Sequence, residues 1–226
     1  MTAIATLFDF DGVLVDSEPV HLAAFNDVLG AHGVTIGERE YLERYLSLDD
    51  AGVFRAVFER HGRALPESEV RALVDAKGPR FMSRFSESFR VFPGAAQLVE
   101  RRARLGPVGI VSGALEREIV FALEKMAVRD RVAFIVSAER VPASKPDPAP
   151  FLLAVEELRR EGHRGAIVVV EDSTGGVASA VGAGLRCVGV AHSYPADALL
   201  RAGAAAVAAD LPSLTDALLD AEAVAP

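Results

Sequence analysis

Short apolar runs alternate with helix-patterned stretches along most of this chain. Ile4–Phe8, Val108–Val111, Val132–Val136, Ala166–Val170 and Cys187–Val190 are each bounded by polar residues or glycine and read as buried strands. Ala204–Ala209 reads as a short last strand, although alanine forms strands poorly. Helical stretches lie between these runs. Such alternation predicts an α/β fold, a doubly wound parallel sheet with helices on both faces. In sheets of this kind ligands bind beyond the carboxyl ends of the strands. The residues at or just past those ends are Asp9, Asp11, Ser112 and the pair Glu171–Asp172, with Lys145 following another strand after a loop. All should meet along one rim.

Residues 16–91 break the alternation. They carry three helical stretches and no convincing strand. Pro19 suits a first helical turn, with Ser17 or Glu18 just ahead, and Val20, Ala24 and Val28 follow at helical spacing. Val53, Phe54, Val57 and Phe58 mark a second amphipathic stretch, and Val70, Leu73, Val74, Phe81 and Phe85 a third. The expected organisation is a core made of residues 1–15 and 92–226, with residues 16–91 inserted as an all-α cap and hinges near Val15–Ser17 and Arg90–Pro93.

Composition narrows the function. The chain has 226 residues, enough to bury a sizeable core, and a formal net charge of −8. Its densest basic cluster, Arg101–Arg104, falls where a surface helix should end, so it reads as a helix terminus facing solvent rather than a nucleic-acid track. Cys187, the single cysteine, lies in an apolar run and reads as a core side chain; nothing points to an oxidising compartment. The N-terminal stretch lacks a basic region and is interrupted by acids, unlike a signal peptide. No apolar run approaches the roughly 20 residues that span a bilayer. A cytoplasmic protein without nucleic-acid or membrane partners is expected, as monomer or homodimer.

Four segments carry chemistry. In DFDGVLVDSEP, Asp9–Pro19, two carboxylates two residues apart follow a strand, and Gly12 suggests a turn. Packed anions want a cation or a shared proton, and Mg2+, which takes a few carboxylates plus phosphate and water, suits them. The bland alternative is a turn with two solvated aspartates. VVVEDSTGG, Val168–Gly176, delivers Glu171 and Asp172 to the same rim, and Ser173 can cap the helix that follows. Ser112–Gly113 offers a hydroxyl and backbone N–H groups at a helix start, a natural phosphate cradle. Lys145, in PASKPDP, is either a solvated loop residue or a cation placed between a nucleophile and a phosphoryl group.

Together these segments resemble the haloacid dehalogenase superfamily. The resemblance covers essentially the whole chain: DxDG at Asp9–Gly12, Ser112, Lys145 and the acidic pair Glu171–Asp172, in that order. DFDGVLVDSEP and SKPDP are closest to its phosphatase and β-phosphoglucomutase-like branch, which has a Rossmann-like core and an inserted helical cap. The resemblance implies that Asp9 is the nucleophile and becomes an aspartyl-phosphate, while Asp11 serves as acid and then base. It also implies Mg2+ held by Asp9, the carbonyl of Asp11, and Asp172, with Glu171 bound directly or through water. Lys145 would offset charge, and Ser112 with the N–H of Gly113 would hold a phosphate oxygen. Asp11 points to phosphate esters, because dehalogenases of this superfamily lack that acid/base residue and phosphonate hydrolases have alanine there.

In the inserted segment, Lys77 falls on the apolar stripe of its helix and either snorkels outward or faces a polar cavity. In this branch cap lysines often reach the substrate. Glu18 is a second candidate substrate contact, and His21 a surface or seam residue. The mutase relatives usually carry an arginine for a second phosphate where this chain has Ser47-Leu48-Asp49-Asp50. Asp49 and Asp50 read as ligands for hydroxyls or as a helix cap. The expected activity is hydrolysis of a small phosphorylated metabolite such as a sugar phosphate. A β-phosphoglucomutase-like mutase is the alternative, and a phosphoaspartate signalling module a more distant one.

Overall fold

The computed structural model describes residues 3–46 and 48–221. The chain divides into two compact units, one formed by Met1–Asp16 with Val91–Pro226 and the other by Ser17–Arg90.

The first unit is built on six strands: β1 (Ala5–Phe8), β2 (Val108–Val111), β3 (Phe134–Val136), β4 (Ile167–Glu171), β5 (Arg186–Val190) and β6 (Ala206–Ala208). They form one sheet in the order β3-β2-β1-β4-β5-β6. Every neighbouring pair is parallel. Every residue of β1 to β4 is buried, as a sheet covered on both faces requires. Register keeps the strand ends level. Phe8 lies opposite both Ile110 and Val170, so Asp9, Ser112 and Glu171 all emerge at one edge.

β3 starts later than its apolar run suggests, because Arg129–Arg131 form a 3₁₀ turn that Val132 closes. β6 is likewise trimmed to the residues that pair with β5.

Helices α5 (Ala95–Ala103), α6 (Glu116–Lys125), α7 (Ala149–Arg160), α8 (Thr174–Gly182) and α9 (Ala196–Arg201) lie between the strands, and α10 (Asp216–Asp220) follows the last one. One apolar cluster joins Leu7, Val111 and Val169 of the sheet to Phe151 and Leu158 of α7 and to Val177 and Ala180 of α8. Cys187 belongs to it, and burial pushes its thiol pKa well up, away from reactivity.

The reading of Arg101–Arg104 as a solvated helix end needs correction. Arg104 is exposed, but Arg102 is completely buried. Its Nε donates to Thr6 Oγ1 at 2.8 Å, and its two terminal nitrogens donate to Asp216 at 3.0 Å and Asp220 at 2.6 Å. A guanidinium can be buried when its donors are matched in this way. Arg102→Met keeps the stem but loses all three bonds and leaves the buried Thr6 hydroxyl unpaired. Chemical denaturation should show a loss of about 2 kcal/mol.

The second unit is all helical: α1 (Glu18–Leu29), α2 (Glu38–Arg44), α3 (Asp50–Arg60) and α4 (Glu67–Glu87). The hydrophobic pattern predicts three of these helices and misses α2, which buries only Tyr41 and so carries no apolar stripe. The turn before α2 is held by Asn26, whose side chain accepts from the Ile36 N–H and donates to its carbonyl. Phe25, Val28, Val53, Phe54, Val57 and Phe58 form this unit's core. Among the described residues no helix is long and apolar enough to cross a membrane.

Candidate active site

Asp9 follows β1 directly. The chain then turns back on itself, with Gly12 N–H bonded to the Val15 carbonyl and Leu14 N–H to that of Phe10. Gly12 has φ +77°. A Cβ there would collide with the Asp172 carboxylate and lie 2.9 Å from Ser193 Oγ, so only glycine lets this turn approach the end of β4.

Lys145 reaches the same place from the loop before α7. Its Nζ donates to Asp9 Oδ1 at 2.7 Å, to Glu171 Oε1 at 2.6 Å and to the Val111 carbonyl at 2.8 Å. Three acceptors match the three protons of an ammonium group. Burial opposes the charge on Lys145, but Asp9 and Glu171 outweigh it and lift its pKa above the ordinary lysine value.

Glu171 is fully buried. Its Oε1 is taken by Lys145, and its Oε2 accepts from the N–H groups of Asp172 at 3.1 Å and Ser173 at 3.2 Å and from Ser173 Oγ at 3.1 Å. Ser173 also caps α8 by accepting from the Gly176 N–H, as its position predicts. A Cβ at Gly176 would overlap the Glu171 carboxylate, so this helix start packs on the acid only because the position is glycine.

Asp9, Glu171 and Asp172 offer carboxylate oxygens within 4.8 Å of one another. Three carboxylates crowd around one ammonium. The strain shows in Asp9. Burial pushes its carboxyl up to about 8 against the pull of Lys145, with Glu171 and Asp11 adding to the rise. Hard oxygen donors crowded in this way suit a divalent cation such as Mg2+. The Asp11 carboxylate is not part of the group; Asp11 lies in the turn, partly exposed.

Ser112 is buried, and its Oγ accepts from the Ala114 N–H at 3.0 Å. Gly113 is exposed. One part of the cradle reading changes. α6 begins only at Glu116, and acids occupy its leading N–H groups: Leu115 N–H donates to Glu118, and Glu116 N–H to Glu139 at 2.8 Å. Any anion site here belongs to the Ser112–Ala114 turn rather than to the helix start.

Glu18 and Lys77 lie in the helical unit and are engaged there. Tyr41 Oη donates to Glu18 at 2.7 Å. Lys77 does not snorkel to solvent. It is 1% exposed, its Nζ pairs with Asp50 and lies 2.9 Å from His21 Nδ1, and it sits 4.2 Å from the centre of the Phe25 ring. His21, expected at the surface or seam, stacks on Phe81. Asp49 caps α3 by accepting from Gly52 N–H at 2.7 Å, whereas Asp50 is spent on Lys77. Ser47, the first residue of that loop, lies outside the described residues.

Ser193 lies outside every motif that the sequence offers. Its Oγ donates to Asp172 Oδ2 from just past the end of β5. The strand-end rule that selected the other site residues could have found it.

The pattern for haloacid dehalogenase-like hydrolases matches residues 6–190, most of the chain. This protein belongs to that family. Within it, the chain is similar to a phosphorylated carbohydrates phosphatase of Thermotoga maritima, with 29% identity over 90% of this chain and 93% of the relative. The crystal structure of CbbY from Rhodobacter sphaeroides in complex with phosphate superposes with a TM-score of 0.82 at 26% identity, covering 97% of this chain and all of that one. A β-phosphoglucomutase from Clostridium difficile has the same TM-score over 97% of this chain and 96% of its own, and at 20% identity it shares the fold alone.

Proposed function

We propose that this hydrolase releases inorganic phosphate from a small phosphomonoester, a sugar phosphate being the expected class, by way of a phosphorylated Asp9. The observation that carries the reading is the buried arrangement of Asp9, Lys145, Glu171 and Asp172 at the carboxyl edge of the sheet. The likeness to a phosphorylated carbohydrates phosphatase supports the substrate class.

In this mechanism a carboxylate oxygen of Asp9 attacks phosphorus, and an aspartyl-phosphate bond forms as the ester P–O bond breaks. Asp11 gives its proton to the departing alkoxide, which leaves as the alcohol. Asp11 then takes a proton from water, whose oxygen attacks phosphorus and frees phosphate and Asp9. Lys145 holds Asp9 and presents fixed positive charge where negative charge gathers, at no cost in reorganisation. Ser112 and the Gly113 N–H bind a phosphate oxygen. Asp9, Asp172 and the Asp11 carbonyl would hold Mg2+. Glu171, with both oxygens already engaged, serves Lys145 and would join the cation directly or through water. When bound, Mg2+ supplies the Lewis-acid charge neutralisation that phosphoryl transfer needs.

Residues 16–91 act as the cap in this reading and select the leaving group, with Glu18 and Lys77 as its candidate substrate contacts. Because Asp50 already offsets the charge on Lys77, a substrate with a single phosphate fits better than a bisphosphate. The enzyme is taken to work in the cytoplasm.

The test is phosphate release from a panel of sugar and polyol phosphates with Mg2+, repeated in EDTA. At least one compound should be turned over, and chelation should abolish the activity. Silence across the panel would sink the reading, and an isomerised sugar phosphate without free phosphate would make the protein a mutase instead.

A further inference from the structure

Three segments meet at the rim beyond β1, β4 and β5, and the proposed chemistry uses only two of them. The third begins where β5 ends. Ala191 N–H is bonded to the Ala208 carbonyl at 2.9 Å, which anchors the start of the segment to β6. His192 comes next. Its Nδ1 lies 2.8 Å from the Gly12 carbonyl oxygen, and because a carbonyl can only accept, Nδ1 carries the proton and donates it. The His192 ring stacks on Phe92 with centroids 3.8 Å apart and planes 15° from parallel, so its orientation is held from the side as well.

Ser193 follows, with its Oγ donating to Asp172 Oδ2. Asp172 is only 3% exposed. Gly12 completes the contact, since a Cβ there would press on both Ser193 Oγ and the Asp172 carboxylate. The nucleophile turn, the acid after β4 and the hydroxyl after β5 are therefore in mutual contact through a glycine, a histidine and a serine.

A carboxylate on a short side chain can rotate about its last bond unless a partner fixes one of its oxygens. Groups behind a metal ligand do this routinely, and losing such a partner typically weakens metal binding 10–100-fold. We propose that Ser193 is a positioning residue: its hydroxyl holds the Asp172 carboxylate in the orientation that receives the divalent cation, and His192 ties the Ser193 segment to the Gly12 turn. The inference rests on Asp172 being a cation ligand, as proposed above. Ser193 touches neither the substrate nor the transferred phosphoryl group in this scheme. It acts only through Asp172.

The test is Mn2+ binding without substrate, followed by the electron paramagnetic resonance signal of free Mn2+, with Mg2+ as competitor. Wild type should bind, and Ser193→Ala should bind about tenfold more weakly. Ser193→Thr, which keeps a hydroxyl, should stay within about twofold of wild type on the same reasoning. Ser193→Cys, close to serine in volume but a weak donor, should behave like alanine and serves as the second variant if Ser193→Ala does not fold. Melting temperatures of the metal-free variants should remain close to wild type, because Ser193 is partly exposed and packs no core.

Equal Mn2+ affinity in wild type and Ser193→Ala would overturn the proposal, as would a Thr variant as weak as Ala. A wild-type protein that binds no Mn2+ would instead remove the cation site itself. That result places the failure in the proposed mechanism rather than in Ser193, so the two can be told apart.

Discussion

Asp9→Asn should fold normally and lose turnover by roughly three orders of magnitude or more, since the substitution removes the attacking group and keeps its shape. An amide cannot form the aspartyl-phosphate. The neighbours that hold the position survive, because the Asp9 N–H is bonded to the Val170 carbonyl through the backbone and Lys145 keeps both Glu171 and the Val111 carbonyl. Stability adds a second readout. The Asp9 carboxyl is lifted from its ordinary 3.8 to about 8, mainly by burial. The folded metal-free protein therefore holds this proton more tightly than the unfolded chain does between those values. Its contribution to stability is fully present below about pH 4 and is lost as pH rises through 8. The amide variant has no such charge to bury. Without metal at pH 8 its melting temperature should be no lower than wild type, and this difference should vanish near pH 4. Phosphate release and thermal melts across that range check both halves, and measurable turnover close to wild type would remove Asp9 from the mechanism.

Lys145→Met should be the most damaging single change to the fold of the core. The methionine keeps the stem against Phe151, whose ring centre lies 5.1 Å from Nζ, but it withdraws the one cation bonded to Asp9 and Glu171 among the described residues. The Glu171 side chain is 0% exposed and that of Asp9 11%, so water cannot take over the role of the ammonium. Breaking a buried pair from one side typically costs about 3–5 kcal/mol, because the remaining charge is stranded. Chemical denaturation without metal should show a loss of that size. Added Mg2+ should restore part of it by binding the folded form, and phosphate release should stay absent. A variant within about 1 kcal/mol of wild type would mean that the two carboxylates do not depend on Lys145 for their charge balance.

The two variants separate the roles of neighbouring groups. Asp9→Asn removes chemistry and relieves buried charge, whereas Lys145→Met leaves a carboxylate in the nucleophile's place and removes its counter-ion. Opposite shifts in stability with the same loss of turnover would be hard to obtain from a generally disrupted site.

Much of the sheet can be read from the sequence because its strands are buried on both sides. Val168–Val170 and Val108–Val111 are continuous apolar runs, and such runs have few other stable environments. Helices with a stripe are equally legible, as with Val53, Phe54, Val57 and Phe58 of α3. α2 is not, because its one buried side chain, Tyr41, sets no period. Arg102 was misread for a related reason. A guanidinium next to two other arginines looks like surface until Asp216 and Asp220, 114 and 118 residues further on, are found beside it. The stripe position of Lys77 leaves two readings open, a snorkelling side chain or one facing a polar cavity, and neither names its partner Asp50, which lies on another helix. Ser193 carries only the weak signal of lying just past a strand end. A serine after a strand is common, and only its contact with Asp172 distinguishes it.

The sequence by itself determined the alternation of strand and helix, and with it the edge where the chemistry gathers. Parallel strands all end on the same side, so a polar residue following each apolar run is carried there by chain direction alone. The tertiary structure decided which of those residues are bonded to which. Lys145 lies 136 residues from Asp9 and 26 from Glu171, and Ser193 lies 21 from Asp172. Local periodicity reports which face of an element is buried. It carries no information about which distant atom lies within hydrogen-bonding reach, and in this protein that reach sets the pairing of Asp9 with Lys145, the burial of Arg102 and the orientation of Asp172.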